Sequence, residues 1–273
     1  MKLTCNLHTH TTFCDGNNTP REMVEAAIAC GCTTLGFSGH SYNGIKETES
    51  WTMNVAAQRE YMKEIKMLKK EYEGKIEILL GLEQDYYSDI TPYDVDYTIG
   101  SVHGIKKNGS YFDVDGTPEE LIEACDKYYG GNMMGVVREY YTLVSTVVEK
   151  TDCDIIGHFD LVTKFNEKCR LFDTSSKEYR AVALDALDTL IEKHRIFEIN
   201  TGAISRGWRR LPYPEDFLLR RLAEKGADVM INSDSHHKNT ILFCFDDAVE
   251  YAKSCGITKL CVYQNGKFEK ISI

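Results

Sequence analysis

The stretch Thr19 to His40, TPREMVEAAIACGCTTLGFSGH, contains one helix, one strand and one histidine, in an order that recurs along the chain. The helix is predicted to begin at Thr19, because Thr-Pro-Arg-Glu is a capping box with proline at the first helical position. Gly31 is predicted to end it, since glycine readily adopts the left-handed conformation found after helix C-termini. The β-rich run 33–38 then predicts a strand, and His40 follows this strand closely.

The same alternation continues to the end of the chain. Strands are predicted at residues 2–7, 33–38, 76–82, 96–101, 154–157, 196–200 and 228–232. Further helices are predicted at residues 54–72, 118–129, 136–150, 176–194, 215–225 and 246–254. This α/β alternation implies a parallel sheet, either open or closed, and seven or eight units favour a closed (β/α) barrel. A last run, 259–263, precedes Gln264-Asn265-Gly266-Lys267, a turn signal for a closing hairpin.

Length and composition are those of an ordinary globular protein. The 273 residues contain no repeat, low-complexity tract or linker, so we predict a single domain spanning residues 1–273. A net charge of −10 argues against a nucleic-acid partner, although a small phosphorylated substrate is compatible if bound metals reverse the local field. No apolar run of about 18 residues predicts a membrane span, and the N-terminus lacks the apolar core of a signal peptide. The chain is therefore expected to be cytoplasmic.

The ten cysteines lie scattered through apolar stretches and include no C-x-x-C pair. Cys30 and Cys32 flank the helix-ending Gly31, which is poor geometry for a disulfide or a zinc clip. For a cytoplasmic chain, reduced thiols in the core are the better interpretation.

Imidazoles and carboxylates concentrate where the predicted strands end. Of the eight histidines, the six that follow strands are His8, His10, His40, His103, His158 and His236. Three carboxylates occupy similar positions: Asp15, Glu83 and Asp234. Any one of them alone is weak evidence, because a single such histidine is more often structural. Together they would converge on one mouth of a barrel, where function resides in this architecture.

Such convergence points to metal ions. Buried carboxylates and imidazoles that meet without cations would repel one another or stay unpaired, at a large cost in free energy. In His8-Thr9-His10 the two rings point to one face of a strand and can reach one ion, and Asp234-Ser235-His236 is expected to repeat this geometry. Imidazole with carboxylate suits Zn, Fe or Mn, and the set exceeds what one ion can hold. Two or three divalent ions are therefore predicted.

The order H-x-H, D, H, E, H, H, D-x-H resembles that of the PHP (polymerase and histidinol phosphatase) superfamily, and most closely its histidinol-phosphate phosphatases. The resemblance extends over essentially the whole chain. Its supporting motifs are His8-Thr9-His10-Thr11, Cys14-Asp15-Gly16, Gly81-Leu82-Glu83, Ser101-Val102-His103, Gly157-His158-Phe159-Asp160 and Asn232-Ser233-Asp234-Ser235-His236. It implies a distorted seven-stranded, TIM-like (β/α)7 barrel that holds a trinuclear metal cluster.

The resemblance also implies which residues bind each ion. The first ion would take His8, His10, Glu83 and Asp234; the second Glu83 as a bridge, His103 and His158; the third Asp15, His40 and His236. Lys164 stands where an arginine is expected to hold phosphate, and lysine lacks the bidentate fork of arginine. Arg206 is the alternative phosphate ligand, unless it is an ordinary surface arginine.

The implied activity is hydrolysis of L-histidinol phosphate, a step of histidine biosynthesis, by attack of a metal-bridging hydroxide. Glu83, Asp234 and His236 are the predicted catalytic residues, with Asp234 or a metal-bound water protonating the leaving group. Asp160 and Asn200 are expected either to orient ligating imidazoles or merely to cap loops.

Three alternatives stay open at this point. A related phosphoesterase would act on a nucleotide or sugar phosphate, a metallo-amidohydrolase would use a mononuclear site, and a metal-binding module would have no activity. The substrate's imidazole and amine have candidate neighbours that could equally lie on the surface: Tyr42, Glu47, Glu49, Trp51 and Phe112.

Overall fold

A computed structural model describes residues 2–88 and 94–273. The strands are β1 (Cys5–Asn6), β2 (Thr34–Phe37), β3 (Glu77–Asp85), β4 (Tyr97–Ser101), β5 (Gly104–Lys107), β6 (Ser110–Asp113), β7 (Ile155–Ile156), β8 (Ile196–Asn200), β9 (Val229–Asn232), β10 (Lys259–Gln264) and β11 (Lys267–Ser272). The helices are α1 (Pro20–Cys30), α2 (Val55–Glu71), α3 (Pro118–Tyr129), α4 (Met133–Val144), α5 (Val147–Thr151), α6 (Asn166–Cys169), α7 (Lys177–Ile191), α8 (Gly202–Ser205), α9 (Asp216–Lys225) and α10 (Phe245–Ser254).

Seven parallel strands form the central sheet, in the order β1-β2-β3-β4-β7-β8-β9. The first and last strands meet just beyond their carboxyl ends, where Thr9 and Ser235 form a parallel bridge. There the Ser235 N–H donates to His8 O at 3.0 Å and the His10 N–H donates to Ser235 O at 2.8 Å. The sheet is thus a nearly closed barrel, and the predicted (β/α)7 architecture is confirmed.

A tyrosine fills the barrel interior. Tyr97 on β4 is 1% exposed, and its hydroxyl donates to the carbonyl oxygens of Phe37, at 3.1 Å, and Leu7. A Cβ on Gly36 or Gly81 would lie 2.4 Å from atoms of this tyrosine. Glycine at both positions therefore makes room for a side chain that crosses between strands, so the barrel is a packed core.

Most predicted elements are present, with two corrections near the middle of the chain. The helix predicted at 136–150 is broken at Ser145 and Thr146, where α4 ends and α5 follows. Their hydroxyls donate to the backbone carbonyls of Thr142, at 2.9 Å, and Leu143, at 3.1 Å, which competes with continued helix formation.

The second correction is the antiparallel hairpin β5–β6, which the sequence analysis did not predict. Its turn is Asn108-Gly109, with φ of 51° and 82°, the positive-φ pair that tight hairpins favour. The C-terminal hairpin β10–β11 has the same kind of turn at Asn265-Gly266 and was predicted.

The predicted single domain of residues 1–273 includes Met1 and residues 89–93, which lie outside the described residues, and this organisation stays a prediction. All ten cysteines are free thiols, but the expectation that they lie in the core is wrong for Cys30 and Cys169, which are exposed. In residues 2–88 and 94–273, no helix is both long enough and apolar enough to cross a membrane.

Candidate metal centre

The structure brings all nine predicted metal-binding side chains together at the mouth of the barrel. Seven of them line one cavity of about 230 Å³: Asp15, His40, Glu83, His103, His158, Asp234 and His236. The other two, His8 and His10, are fully buried and face the carboxylates of Glu83 and Asp234. The cavity lies at the carboxyl ends of the parallel strands, as the architecture requires.

Glu83 is the centre of this arrangement. Its Oε2 lies 3.2 Å from His8 Nε2, 3.5 Å from His10 Nε2 and 3.0 Å from His40 Nδ1. Its Oε1 lies 3.3 Å from His103 Nε2 and 3.0 Å from His158 Nε2. Glu83 lies within β3 rather than after it, because that strand extends to Asp85. One carboxylate is therefore shared by five imidazoles.

Three sets of side chains have ligand atoms that all lie within 4.8 Å of one another. The sets are His8 with His10 and Asp234; His40 with Glu83 and His103; and His10 with Asp15, His40 and His236. They overlap strongly with the three ligand groups that the resemblance implies. The main difference is that His40 also lies next to Glu83, where the resemblance placed His158.

The donor atoms fit metal cations. His8 Nε2, His10 Nε2, His40 Nδ1 and Glu83 Oε2 are buried and make no hydrogen bond within the described structure. Leaving such atoms unpaired in the interior costs free energy, and cations placed between them remove this cost. Imidazole nitrogen with carboxylate oxygen is the donor set that Zn, Fe and Mn accept. The residues therefore form metal-binding groups.

The electrostatics of two unliganded side chains, His10 and Glu83, agree with this conclusion. Burial, together with the neighbouring His236 and His40, lowers the pKa of His10 to about 3, so this imidazole is neutral and can donate a lone pair. Burial alone would raise the pKa of Glu83, but the imidazoles of His8, His40 and His103 hold it well below its usual range. Glu83 is therefore a carboxylate at neutral pH. Cations compete with protons for such groups, so metal binding is expected to weaken in acid.

The last two ligands do not share a strand face, and the expectation that Asp234-Ser235-His236 repeats the geometry of His8-Thr9-His10 is wrong. Asp234 has a φ of 49°, in the left-handed region, which turns the chain between the two residues. Asp234 Oδ1 lies 3.2 Å from His10 Nε2, whereas His236 Nε2 lies 3.0 Å from Asp15 Oδ2. They accordingly belong to different groups of ligands.

The two predicted phosphate-binding residues both line the cavity. Arg206 has a side chain that is 30% exposed, and its Nη2 donates to Asp234 Oδ2 at 2.8 Å. Arg206 is thus an exposed residue, as the surface-arginine alternative has it, but its guanidinium is held at the cavity by Asp234. Lys164 Nζ donates to the backbone oxygen of Asp115 at 2.6 Å and lies 3.2 Å from its carboxylate. Its charge is thus already paired.

Two residues were named as candidates for orienting imidazoles. Asn200 does so only indirectly, since its Nδ2 donates to Glu198 at 2.8 Å. Asp160 accepts the backbone N–H of Glu215 at 2.9 Å and lies 3.6 Å from Arg209. For Asp160 the loop-capping alternative describes the contacts.

Sequence reasoning missed several polar residues around the centre. Ser101 Oγ donates to Glu83 Oε1 at 2.6 Å, and Asp85 Oδ2 lies 3.3 Å from His103 Nδ1. Asp113 and Asp115, at the end of the unpredicted hairpin, line the cavity. Glu198 binds His8 Nδ1 at 2.6 Å. Its signal was an acidic side chain in the apolar strand Ile196-Phe197-Glu198-Ile199-Asn200, where burial of the charge demands a partner.

The barrel and the cavity define a class of protein, the (β/α)7 barrels with metal-binding groups at the carboxyl ends of their strands. Within this class, the model of the PHP domain family matches residues 6–202, and the chain belongs to that family.

Named relatives cover almost the whole chain. A protein of Deinococcus radiodurans named probable histidinol-phosphatase is 32% identical over 264 residues, which cover 92% of this chain and 94% of that protein. The histidinol-phosphatase of Bacillus subtilis is 29% identical over 269 residues, 89% of this chain and 97% of that protein.

A solved structure shows the likeness of the fold. The histidinol phosphate phosphatase of Lactococcus lactis, complexed with zinc, L-histidinol and phosphate, has a TM-score of 0.73 at 24% identity. The match covers 98% of this chain and 100% of that one.

Removal of metal should destabilise the protein, because the clustered ligands then lose their cations. A ligand at 100 times its Kd adds about 2.7 kcal/mol per site. In a domain of this size each kcal/mol corresponds to roughly 2–4 °C, so one lost ion should lower the melting temperature by on the order of 5–10 °C. The measurement is thermal unfolding of the purified protein with and without a chelator, followed by addition of Zn²⁺ or Mn²⁺. A chelator already saturated with Zn²⁺ is the control, and equal melting temperatures in all samples would contradict the metal centre.

Proposed function

We propose that the chain is a metal-dependent phosphatase that hydrolyses L-histidinol phosphate to L-histidinol and phosphate, in the cytoplasm. The observation that carries the proposal is the set of nine ligand-type side chains gathered at one small cavity with Arg206 at its wall. The named relatives, which align with this chain over nearly their full lengths, support the same substrate.

Two or three divalent ions, Zn, Fe or Mn, are the proposed cofactors. Their ligands would be His8, His10, Asp15, His40, Glu83, His103, His158, Asp234 and His236. The neighbouring nitrogens and oxygens support at least three groups of donors, with Glu83 and His10 close enough to more than one group to connect them. Bound cations would supply a water of lowered pKa as the nucleophile and would neutralise charge on the phosphoryl oxygens.

Arg206 is the better placed of the two cationic side chains for holding phosphate. A guanidinium has five N–H donors, and Arg206 donates to Asp234 Oδ2 at 2.8 Å and to the Asp234 carbonyl at 3.2 Å. Its Nη1 also lies 3.2 Å from His236 Nδ1. At least two donors remain for an anion. Lys164 has three donors, and two are directed at Asp115. We therefore assign phosphate binding mainly to Arg206, with Lys164 as a secondary contact.

The outer part of the cavity suits the organic half of the substrate. Asp113 and Asp115 line it, and in the described part of the chain no lysine or arginine lies within ion-pair distance of Asp113. The Asp113 carboxylate accepts the Tyr111 hydroxyl at 2.9 Å but has no cationic partner there, which favours a substrate that itself carries a cation, such as a primary amine. Trp51 packs at ring-centroid distances of 4.9 Å from His40 and 5.1 Å from His103, and it offers an aromatic face to an imidazole.

The other residues considered for this role lie elsewhere. Tyr42, Glu47 and Glu49 are exposed, and Phe112 stacks on Tyr128 outside the cavity. Of that set, Trp51 alone lines the cavity.

The proposal is tested by phosphate release from the metal-loaded protein. We expect L-histidinol phosphate to be hydrolysed with a higher kcat/KM than nucleotides, sugar phosphates or an aryl phosphate. Asp234→Asn should abolish turnover while the circular dichroism spectrum is kept, because one carboxylate oxygen shared by His8 and His10 is replaced. Near-normal turnover of Asp234→Asn with a full metal complement would refute the assignment, and a clear preference for a nucleotide would favour the related phosphoesterase.

Arg206→Ala should raise the KM for L-histidinol phosphate by about 10–100-fold, the effect of losing a charge-assisted hydrogen bond of roughly 1.5–3 kcal/mol. Lys164→Ala should raise it less. Arg210→Ala is the control, since its side chain is 92% exposed and contacts Glu167. Steady-state kinetics of the three variants decide the matter, and an unchanged KM in Arg206→Ala would show that this residue does not hold phosphate.

Asp113→Asn should raise the KM for L-histidinol phosphate several-fold while hydrolysis of an aryl phosphate monoester with an uncharged aryl group stays unchanged, because only the first substrate carries an amine. Asp126→Asn, at an exposed position on α3, is the matched control. If the KM rises equally for both substrates, Asp113 supports the loop instead of recognising the amine.

A further inference from the structure

Glu198 is a charged side chain in the interior of the barrel. It lies in the middle of β8 and is 1% exposed, between Phe197 and Ile199, which are also buried. Burying an ionised carboxylate is expensive unless hydrogen bonds or charges compensate it. The side chain is not among the ligand-type groups that line the cavity, so its contacts must explain its presence.

Four donors from four segments of the chain satisfy this carboxylate. Oε1 accepts from His8 Nδ1 at 2.6 Å and from Asn232 Nδ2 at 3.0 Å. Oε2 accepts from the backbone N–H of His158 at 2.9 Å and from Asn200 Nδ2 at 2.8 Å. These donors follow or belong to β1, β9, β7 and β8, so one side chain connects four neighbouring strands.

The two asparagines are themselves held in place. Asn232 Oδ1 accepts the backbone N–H of Leu7 at 2.8 Å, and Asn200 Oδ1 accepts that of Gly202 at 2.8 Å. Because each amide oxygen is already an acceptor, each amide NH₂ must face Glu198. The site is therefore built for a group that accepts hydrogen bonds on both oxygens, which a carboxylate does and an amide cannot.

The consequence for His8 concerns which nitrogen carries the proton. A hydrogen bond from Nδ1 to Glu198 requires hydrogen on Nδ1, which in the neutral imidazole that binds metal leaves the lone pair on Nε2. That nitrogen points the other way, 3.2 Å from Glu83 Oε2 and 3.6 Å from Asp234 Oδ1, and it has no hydrogen bond. A carboxylate on the remote nitrogen fixes both the tautomer and the ring orientation of a metal-binding histidine.

We propose that Glu198 is the positioning residue of the metal centre: it directs the lone pair of His8 into the cavity and holds the backbone of His158 beside it. The inference rests on the metal centre of the proposed function, although it requires no particular substrate. Loss of Glu198 would weaken metal binding although Glu198 contacts no metal.

The test is a calorimetric titration of chelator-treated protein with Zn²⁺ alone. Glu198→Gln keeps the size of the side chain but places an NH₂ group against two of the four donors. If the NH₂ replaces Oε1, His8 Nδ1 must accept a hydrogen bond and its ring hydrogen turns towards the cavity. If the NH₂ replaces Oε2, the contacts to His158 and Asn200 are lost. We expect Zn²⁺ affinity to fall about 10–100-fold, the usual effect of losing such a partner.

Asp154→Asn is the matched control. Its carboxylate also joins two barrel strands, since it accepts the backbone N–H of Thr98 at 2.9 Å, but it lies at the opposite end of the strands from the ligands. A purely structural role for Glu198 predicts that both variants lose thermal stability without loss of Zn²⁺ affinity. A positioning role predicts weaker Zn²⁺ binding in Glu198→Gln alone.

Glu198→Asp provides a second measurement if Glu198→Gln does not fold. It keeps the charge but is shorter by one methylene, so the contact to His8 must lengthen and Zn²⁺ affinity should fall to an intermediate level. Wild-type affinity in every folded Glu198 variant would overturn the proposal. If the wild-type chain binds Zn²⁺ but releases no phosphate from any ester, the proposed function fails while the role of Glu198 is still decided by the titration.

Discussion

The pairing of one buried carboxylate with five imidazoles is the constraint on which the rest of the structure depends. Glu83 is 1% exposed, and the free energy of burying it is acceptable only if positive charge lies close to both oxygens. The imidazoles come from positions far apart in the chain, after β1, β2, β4 and β7. A parallel barrel meets this requirement because the carboxyl ends of all its strands open onto the same mouth.

The interior of the barrel is arranged in support of that mouth. Tyr97 fills the centre and is bonded to the backbone of two neighbouring strands, and Gly36 and Gly81 leave room for it. Closer to the mouth, Glu198 accepts hydrogen bonds from Asn200 and from the proposed ligand His8. These polar groups are buried and paired with one another, which keeps the side chains at the mouth in fixed positions.

The sequence was sufficient to predict the barrel and the gathering of the nine side chains, for a physical reason. His40 and His103 each follow a predicted strand within two residues, so parallel order alone brings them together. The turn at Asp234 could not be predicted in the same way, since a positive φ at an aspartate depends on tertiary contacts such as that to Arg206. The alternation of side chains along a strand therefore predicted wrongly that Asp234 and His236 point to the same face.

Contacts across the barrel were the other part that local patterns did not reveal. Glu198 is an acceptor for residues up to 190 positions away, and nothing in the strand itself identifies His8 as its partner. The pairing of Lys164 with Asp115 depends on where the β5–β6 hairpin ends, because Asp115 follows its last strand by two residues. That hairpin was missed although Asn108-Gly109 is the same signal that predicted the C-terminal one.

The position of the β5–β6 hairpin has a consequence for how such a protein can change. The hairpin begins directly after His103 and ends at Asp113, and none of the proposed cation ligands lies within it. Exchange of this segment would replace Asp113, which the proposed function places beside the organic half of the substrate, and would keep every proposed cation ligand. Under the proposed function, substrate selectivity could therefore change through this hairpin while the metal centre is kept, as long as the new segment also fills the fully buried position of Ile105.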